Sequence, residues 1–299
     1  MKPALSIVFF TVFSGGGLGL AAVLAVFAGS VSRAEFIAAA VLAVLFTGGG
    51  LCASVLHLAN PKNAWRALSR VRTSWLSREA VCALVFFPLF GVWTLLEFFR
   101  GGENVLLRGA VFAAAMLTVF CTAMIYQSLK PIAAWHHPQT AFNYLMFSLQ
   151  SGALLFAAVA SFGGGAPRAA VVAVFVFTAA AAAGKILYYR RIGKAKGIRI
   201  GRAAGFSRAR ARLLDSGHTA QTFLTREFIF QQPAAKLQRL RIASFLLCVF
   251  APPLGAAFAT RGVCAAAVVL LFVGLLMERW LFFAEAKHAV RAYHGDGAP

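Results

Sequence analysis

Acidic residues are scarce in this 299-residue chain. Nine Asp and Glu stand against 29 Lys and Arg, and both signs together reach only 13%. A soluble domain of this size carries nearer about a quarter charged residues, which excludes an ordinary water-soluble fold. Paired cysteines are missing as well. Cys52, Cys82, Cys121, Cys248 and Cys264 stand singly in apolar segments, with no CxxC or CxxxC group. The chain is therefore not expected to hold an iron–sulfur cluster or structural zinc of its own. The cysteines read as small buried thiols. Of the six histidines (His57, His136, His137, His218, His288, His294), only His57 falls where a bilayer would cover it. A membrane b-type haem takes two histidines from different spans, so haem ligation is not expected.

What fills the chain is apolar sequence: 60% hydrophobic residues, 29 of them Phe, and a mean hydropathy of +0.77. Eight segments are long enough to span a bilayer of about 30 Å, at 4–28, 36–57, 79–98, 107–126, 140–162, 168–187, 242–259 and 263–285. The expected fold is all-α: one polytopic bundle of about eight transmembrane helices over 1–299, with a basic loop at 188–241. The first segment starts with one Lys, runs past 20 apolar residues and lacks a clear small-residue cleavage site, so it reads as a span and not as a cleaved signal. Gly15 and Gly19 form a GxxxG spacing, and Gly48 to Gly50 interrupt the second span; such glycines permit close helix packing.

The net charge of +20 and pI near 11.0 raise nucleic acid as a partner. No basic soluble domain or recognition motif accompanies the charge. The cations sit in the loops, as they do in membrane proteins. An even number of spans puts both termini on one side. That side collects 22 Lys and Arg, the other side five. Without the long 188–241 segment the ratio is still nine to five. The positive-inside rule then places both termini, and the 58–78 loop, in the cytoplasm.

Ionisable residues within or beside the spans are costly and are functional suspects by default. They are His57, Glu79, Glu97, Lys185, Glu278, Arg279 and Glu285. Glu97 and Lys185 lie at span ends, where reaching the interface accounts for them. For Glu278 and Arg279 two readings stand, an interhelical ion pair or the lining of a polar cavity. Glu79 alone reads as a helix-start residue favoured by the dipole, with Ser77 as N-cap. Paired with His57 across one basic loop, it also reads as half of a proton-exchanging site for a quinol.

The stretch "HLANPKNAWRALSRVRTSWLSREA" (57–80) closely resembles the loop of the membrane-anchor subunits of the dimethyl sulfoxide reductase family, HLG-x-P-x-x-A followed by an Arg-rich segment and S-x-L-S-x-E. His57, Leu58, Pro61, Ala64, Arg70, Ser74, Leu76, Ser77 and Glu79 occupy the matching positions, and Ala59 replaces the usual glycine. The likeness continues through "IYQSLKPIAAWHHPQTAFNYL" (125–145) and "MERWLFFAEAKH" (277–288) and covers most of the chain.

The resemblance implies an eight-helix anchor without metal or haem in the bacterial cytoplasmic membrane. It implies an iron–sulfur electron-transfer subunit and a molybdopterin catalytic subunit as partners. Ubiquinone or menaquinone is the implied exchangeable substrate. The residues at the family's quinol site are His57 and Glu79, and Arg70, Glu278 and Arg279 complete the candidate set. Well-known dimethyl sulfoxide reductases face the periplasm, whereas the similar quinone-linked sulfite dehydrogenases face the cytoplasm. With "TSWLSREAV" and "LTREFIFQQPAAKLQRLR", the charge tally favours sulfite oxidation feeding quinone over quinol oxidation feeding a sulfoxide. A transporter is the reading from another class. It would show paired interrupted helices and more intramembrane ionisable groups.

Overall fold

The computed structural model describes residues 1–55, 61–101, 104–194, 230 and 232–294. Among these residues there are eight long helices: α1 (Leu5–Phe27), α2 (Arg33–Val55), α3 (Trp75–Arg100), α4 (Val105–Gln127), α5 (Gln139–Ala160), α6 (Arg168–Lys194), α7 (Ala234–Phe258) and α8 (Arg261–Ala284). All eight are long and apolar enough to cross a membrane. Among the described residues there is no strand. A bundle of this kind satisfies every backbone group inside its own helices, as hydrocarbon requires.

The bounds differ from the expected ones where local chemistry decides. α3 begins at Trp75, because Ser74 is extended and its hydroxyl accepts the Ser77 N–H at 3.4 Å. Ser74, not Ser77, is the N-cap. Glu79 therefore stands one turn inside the helix and is buried at 4% exposure, so it is not the helix-opening residue its sequence position suggested. α6 continues to Lys194, so the loop expected at 188–241 has helical ends; its residues 195–229 and 231 lie outside the described residues. So does His57, two residues beyond the end of α2.

α1 is the central helix, packed against α2, α4, α5 and α8. Small residues allow this. A Cβ on Gly19 would strike the Ser148 carbonyl of α5, one on Gly152 would strike the backbone of Gly19, and one on Gly17 would meet the Thr47 N–H at 2.5 Å. Of the glycines expected to mediate packing, Gly19 and Gly50 do. Around Gly15, Gly48 and Gly49 the space is open. Large apolar side chains such as Leu45, Leu84, Leu95 and Phe250 point outward from the peripheral helices, the surface that acyl chains cover.

The even helix count returns the chain to its starting edge. There the Met1 ammonium donates to the Ala286 carbonyl at 2.9 Å, beyond the end of α8. The same edge carries the 61–74 segment and the α4–α5 loop. At the opposite edge Arg108 of α4 donates to Glu97 of α3 across the hairpin.

Candidate functional site

The buried charged side chains among the described residues, Glu79, Lys185, Glu278 and Arg279, all lie in the halves of their helices nearest the edge with the 61–74 segment. Glu79 of α3 accepts from the Thr122 hydroxyl of α4, which also donates to the Thr118 carbonyl at 3.1 Å. Beside Glu79, on the same two helices, the Cys82 and Cys121 sulfurs lie 3.9 Å apart. The turn before Glu79 is pinned at the surface. Arg78 stacks on Trp75 at 4.1 Å and donates to the Val71 and Arg72 carbonyls at 2.9 and 2.8 Å.

Across the bundle, Lys185 of α6 donates to Glu278 of α8 at 2.5 Å, and Glu278 also accepts from its neighbour Arg279. All three are at most 4% exposed. Lys185 thus ends in a buried ion pair, not at the interface as its position near a span end suggested. Its stem cannot reach water because the ammonium is enclosed by the rings of Tyr188 and Tyr189, 4.3 and 4.7 Å away. Both readings of Glu278 and Arg279 hold at once: Glu278 binds two cations, and Arg279 also lines a cavity.

That cavity, about 30 Å³, joins the two halves. Its wall includes Thr122 from the Glu79 side and Arg279 from the cluster side. The Arg279 guanidinium lies over the Tyr144 ring at 4.1 Å. Tyr126 and Tyr144 are each within electrostatic reach of both Glu79 and Arg279. Glu79 and the Glu278–Arg279 pair therefore belong to one polar region. Arg70 does not: it ends the 61–70 segment with its side chain exposed to solvent.

The framework behind these groups joins the two segments 125–145 and 277–288. Trp135 donates its indole N–H to the Phe282 carbonyl at 2.9 Å and stacks on the Phe282 ring. Tyr126, Tyr144 and Phe283 close the same aromatic cluster. Arg191, at the end of α6, clamps the α4–α5 loop by donating to the Ala133 and Ala134 carbonyls at 3.0 and 2.8 Å. Partial burial, then the charge of Arg191, holds the His137 pKa in that loop below its ordinary 6.5. The ring is neutral near pH 7 and accepts the Gln139 N–H on Nδ1 at 3.2 Å.

Sequence reasoning missed Thr122, Tyr126, Tyr144, Ser148 and Ser151. A signal was present: Thr11/Ser14, Thr118/Thr122 and Ser148/Ser151 each stand three or four apart, on one helix face, in otherwise apolar spans. No group of His, Cys, Asp and Glu that could hold a metal ion occurs among the described residues.

Residues 1–284 match the profile of the DMSO reductase anchor subunit (DmsC) family. A sulfite dehydrogenase subunit of Allochromatium vinosum is 34% identical, over 98% of this sequence and 99% of its own. The anaerobic dimethyl sulfoxide reductase chain YnfH of Escherichia coli is 31% identical over 38% of this sequence and 41% of its own. A further anaerobic dimethyl sulfoxide reductase polypeptide of Escherichia coli is 30% identical over 36% and 39% respectively. No solved structure matches. With its eight apolar helices and its match from residue 1 to residue 284, the chain belongs to the DMSO reductase anchor subunit family.

Proposed function

We propose that this anchor is the quinone-reactive subunit of a molybdopterin oxidoreductase complex, passing electrons between an iron–sulfur subunit and the quinone pool, in cytoplasmic sulfite oxidation. The observation that carries the reading is Glu79, a carboxyl group buried one turn into α3 and tied to Thr122, at the membrane edge where the basic segment emerges.

Quinone reduction consumes two protons with two electrons, so the site needs a group that exchanges protons beside the ring oxygens. Glu79 serves as that group. His57 stands next to the same edge in sequence and supplies a second one that titrates near neutral pH. The ring itself sits at the edge, outside the inner cavity, which is too small for it. Glu278 and Arg279 act from behind the carboxyl, and Arg70 keeps the approach to the site positive. The 34% identity to a sulfite dehydrogenase subunit over nearly the full length supports sulfite as the partner's substrate. The partial matches to dimethyl sulfoxide reductase polypeptides support the second reading, quinol oxidation by a periplasm-facing complex.

Orientation and activity separate the two. A reporter active only in the periplasm should be silent after Pro299 and active when inserted at 101–104. The protein, tagged and purified from its native membrane, should bring an iron–sulfur and a molybdenum-containing subunit that reduce added quinone with sulfite. The reverse reporter pattern, with quinol oxidised by dimethyl sulfoxide, would install the second reading. An anchor purified without metal-containing partners would remove both.

A further inference from the structure

The cavity between α1, α4, α5 and α8 is lined by hydroxyl side chains and Arg279 as well as by apolar ones. Its hydroxyls come from Thr11, Ser14, Thr122, Tyr144, Ser148 and Ser151. Except on Tyr144, each hydrogen is already committed. Ser14 donates to the Phe10 carbonyl at 2.6 Å, Ser148 to Gly15 at 2.7 Å, Ser151 to Phe147 at 2.8 Å, and Thr11 to Ile7 at 3.0 Å. Thr122 donates to Glu79. Apart from Tyr144, the wall therefore presents oxygen lone pairs.

The donors are Arg279 and Tyr144. Arg279 is 4% exposed, and its Nη1 and the Tyr144 hydroxyl are both buried with no hydrogen-bond partner in the protein. Leaving a charged donor buried and unpaired costs more than ordering a water molecule beside it. An anion would face the hydroxyl lone pairs, and a cation would face the guanidinium. A small neutral molecule with both donors and acceptors satisfies both walls, and 30 Å³ holds about two waters by the usual requirement of roughly 10–15 Å³ each.

We propose that this cavity is an internal hydration site: water accepts from Arg279 and the Tyr144 hydroxyl, donates to the Ser and Thr oxygens, and links the Lys185–Glu278–Arg279 cluster to Glu79 through Thr122. Arg279 is then a positioning residue for Glu79, acting across two waters and a hydroxyl. The hydration site stands whether or not quinone binds at the edge.

Radiolytic hydroxyl-radical footprinting of the full chain in its native membrane reads such waters directly, because radicals form where water is held. Leu18 and Leu275, which line the cavity, should oxidise several-fold faster than Leu20 and Leu24, which are likewise buried but lie elsewhere on the bundle. Equal rates would mean a dry cavity and would overturn the site. The link is read in infrared difference spectra, with the Glu79 carboxyl band assigned by its loss in Glu79→Gln. Filling the cavity by Ser151→Val should slow the hydrogen–deuterium shift of that band. An unchanged rate in a variant whose Leu18 labelling has fallen would overturn the link. The unmodified protein tests the hydration itself even if that variant does not fold.

Discussion

Glu79→Gln in the intact membrane complex is expected to lower quinone-linked turnover about 100-fold or more, the low end of what a positioned acid–base group contributes. The amide keeps the shape of the carboxyl and can still meet the Thr122 hydroxyl, so packing between α3 and α4 survives. What is lost is the proton exchange. Activity with a soluble artificial electron carrier, which bypasses the membrane site, should be largely kept, since the amide preserves the shape and the Thr122 contact of the carboxyl. Glu97→Gln is the control. Glu97 is also a carboxylate of α3, but it pairs with Arg108 at the opposite membrane edge, and its loss should leave quinone turnover alone. His57→Ala should follow Glu79→Gln in both assays. Full quinone-linked activity in the two site variants would take both residues out of the site, and loss of assembly in both would make them structural.

The second large effect is on stability. Glu278 is the anion between two buried cations, Lys185 at 2.5 Å and Arg279 beside it. Glu278→Gln leaves two positive charges enclosed without a counter-charge, and breaking a buried pair in this way costs about 3–5 kcal/mol. Lys185→Met should cost less, because Glu278 keeps Arg279 as its partner and the apolar stem of methionine still fills the space against Tyr188 and Tyr189. In the double variant one of the stranded cations is gone, so the two losses should not add; the coupling energy is the measure of the pair. Thermal unfolding of the purified protein in detergent gives all three values. Additive losses, or a Lys185→Met variant less stable than Glu278→Gln, would mean that the anion is not what holds the cluster.

The large features were legible because membranes impose simple rules. Eight apolar runs became eight helices, and the likeness carried by 57–80, 125–145 and 277–288 became a family match over residues 1–284. The helix bounds were harder, since caps act at single residues: Ser74 and Ser77 both fit the start of α3, and only the extended backbone at Ser74 decides between them. Lys185 was misjudged for a different reason. Sequence gives distance from a helix end, whereas its partner Glu278 lies 93 positions away and on another helix. The hydroxyl-lined cavity was invisible for the same cause. Ser14, Thr122 and Ser148 are ordinary one at a time, and only the packing of α1 against α4 and α5 sets them around Arg279. GxxxG spacing marked the right helix and the wrong partner, because Gly17 as well as Gly19 makes the close approach.

Equilibrium binding of a short-chain ubiquinol analogue, kept reduced, to the purified full-length protein, in detergent and without partner subunits, tests the central claim most directly. Saturable binding at one site per molecule is expected, unchanged in Glu97→Gln and weakened about tenfold in Glu79→Gln, where the quinol hydroxyl donates to a neutral amide oxygen in place of a carboxylate, a difference of roughly 1–1.5 kcal/mol. Binding that does not saturate, or that is the same in all three proteins, would contradict it.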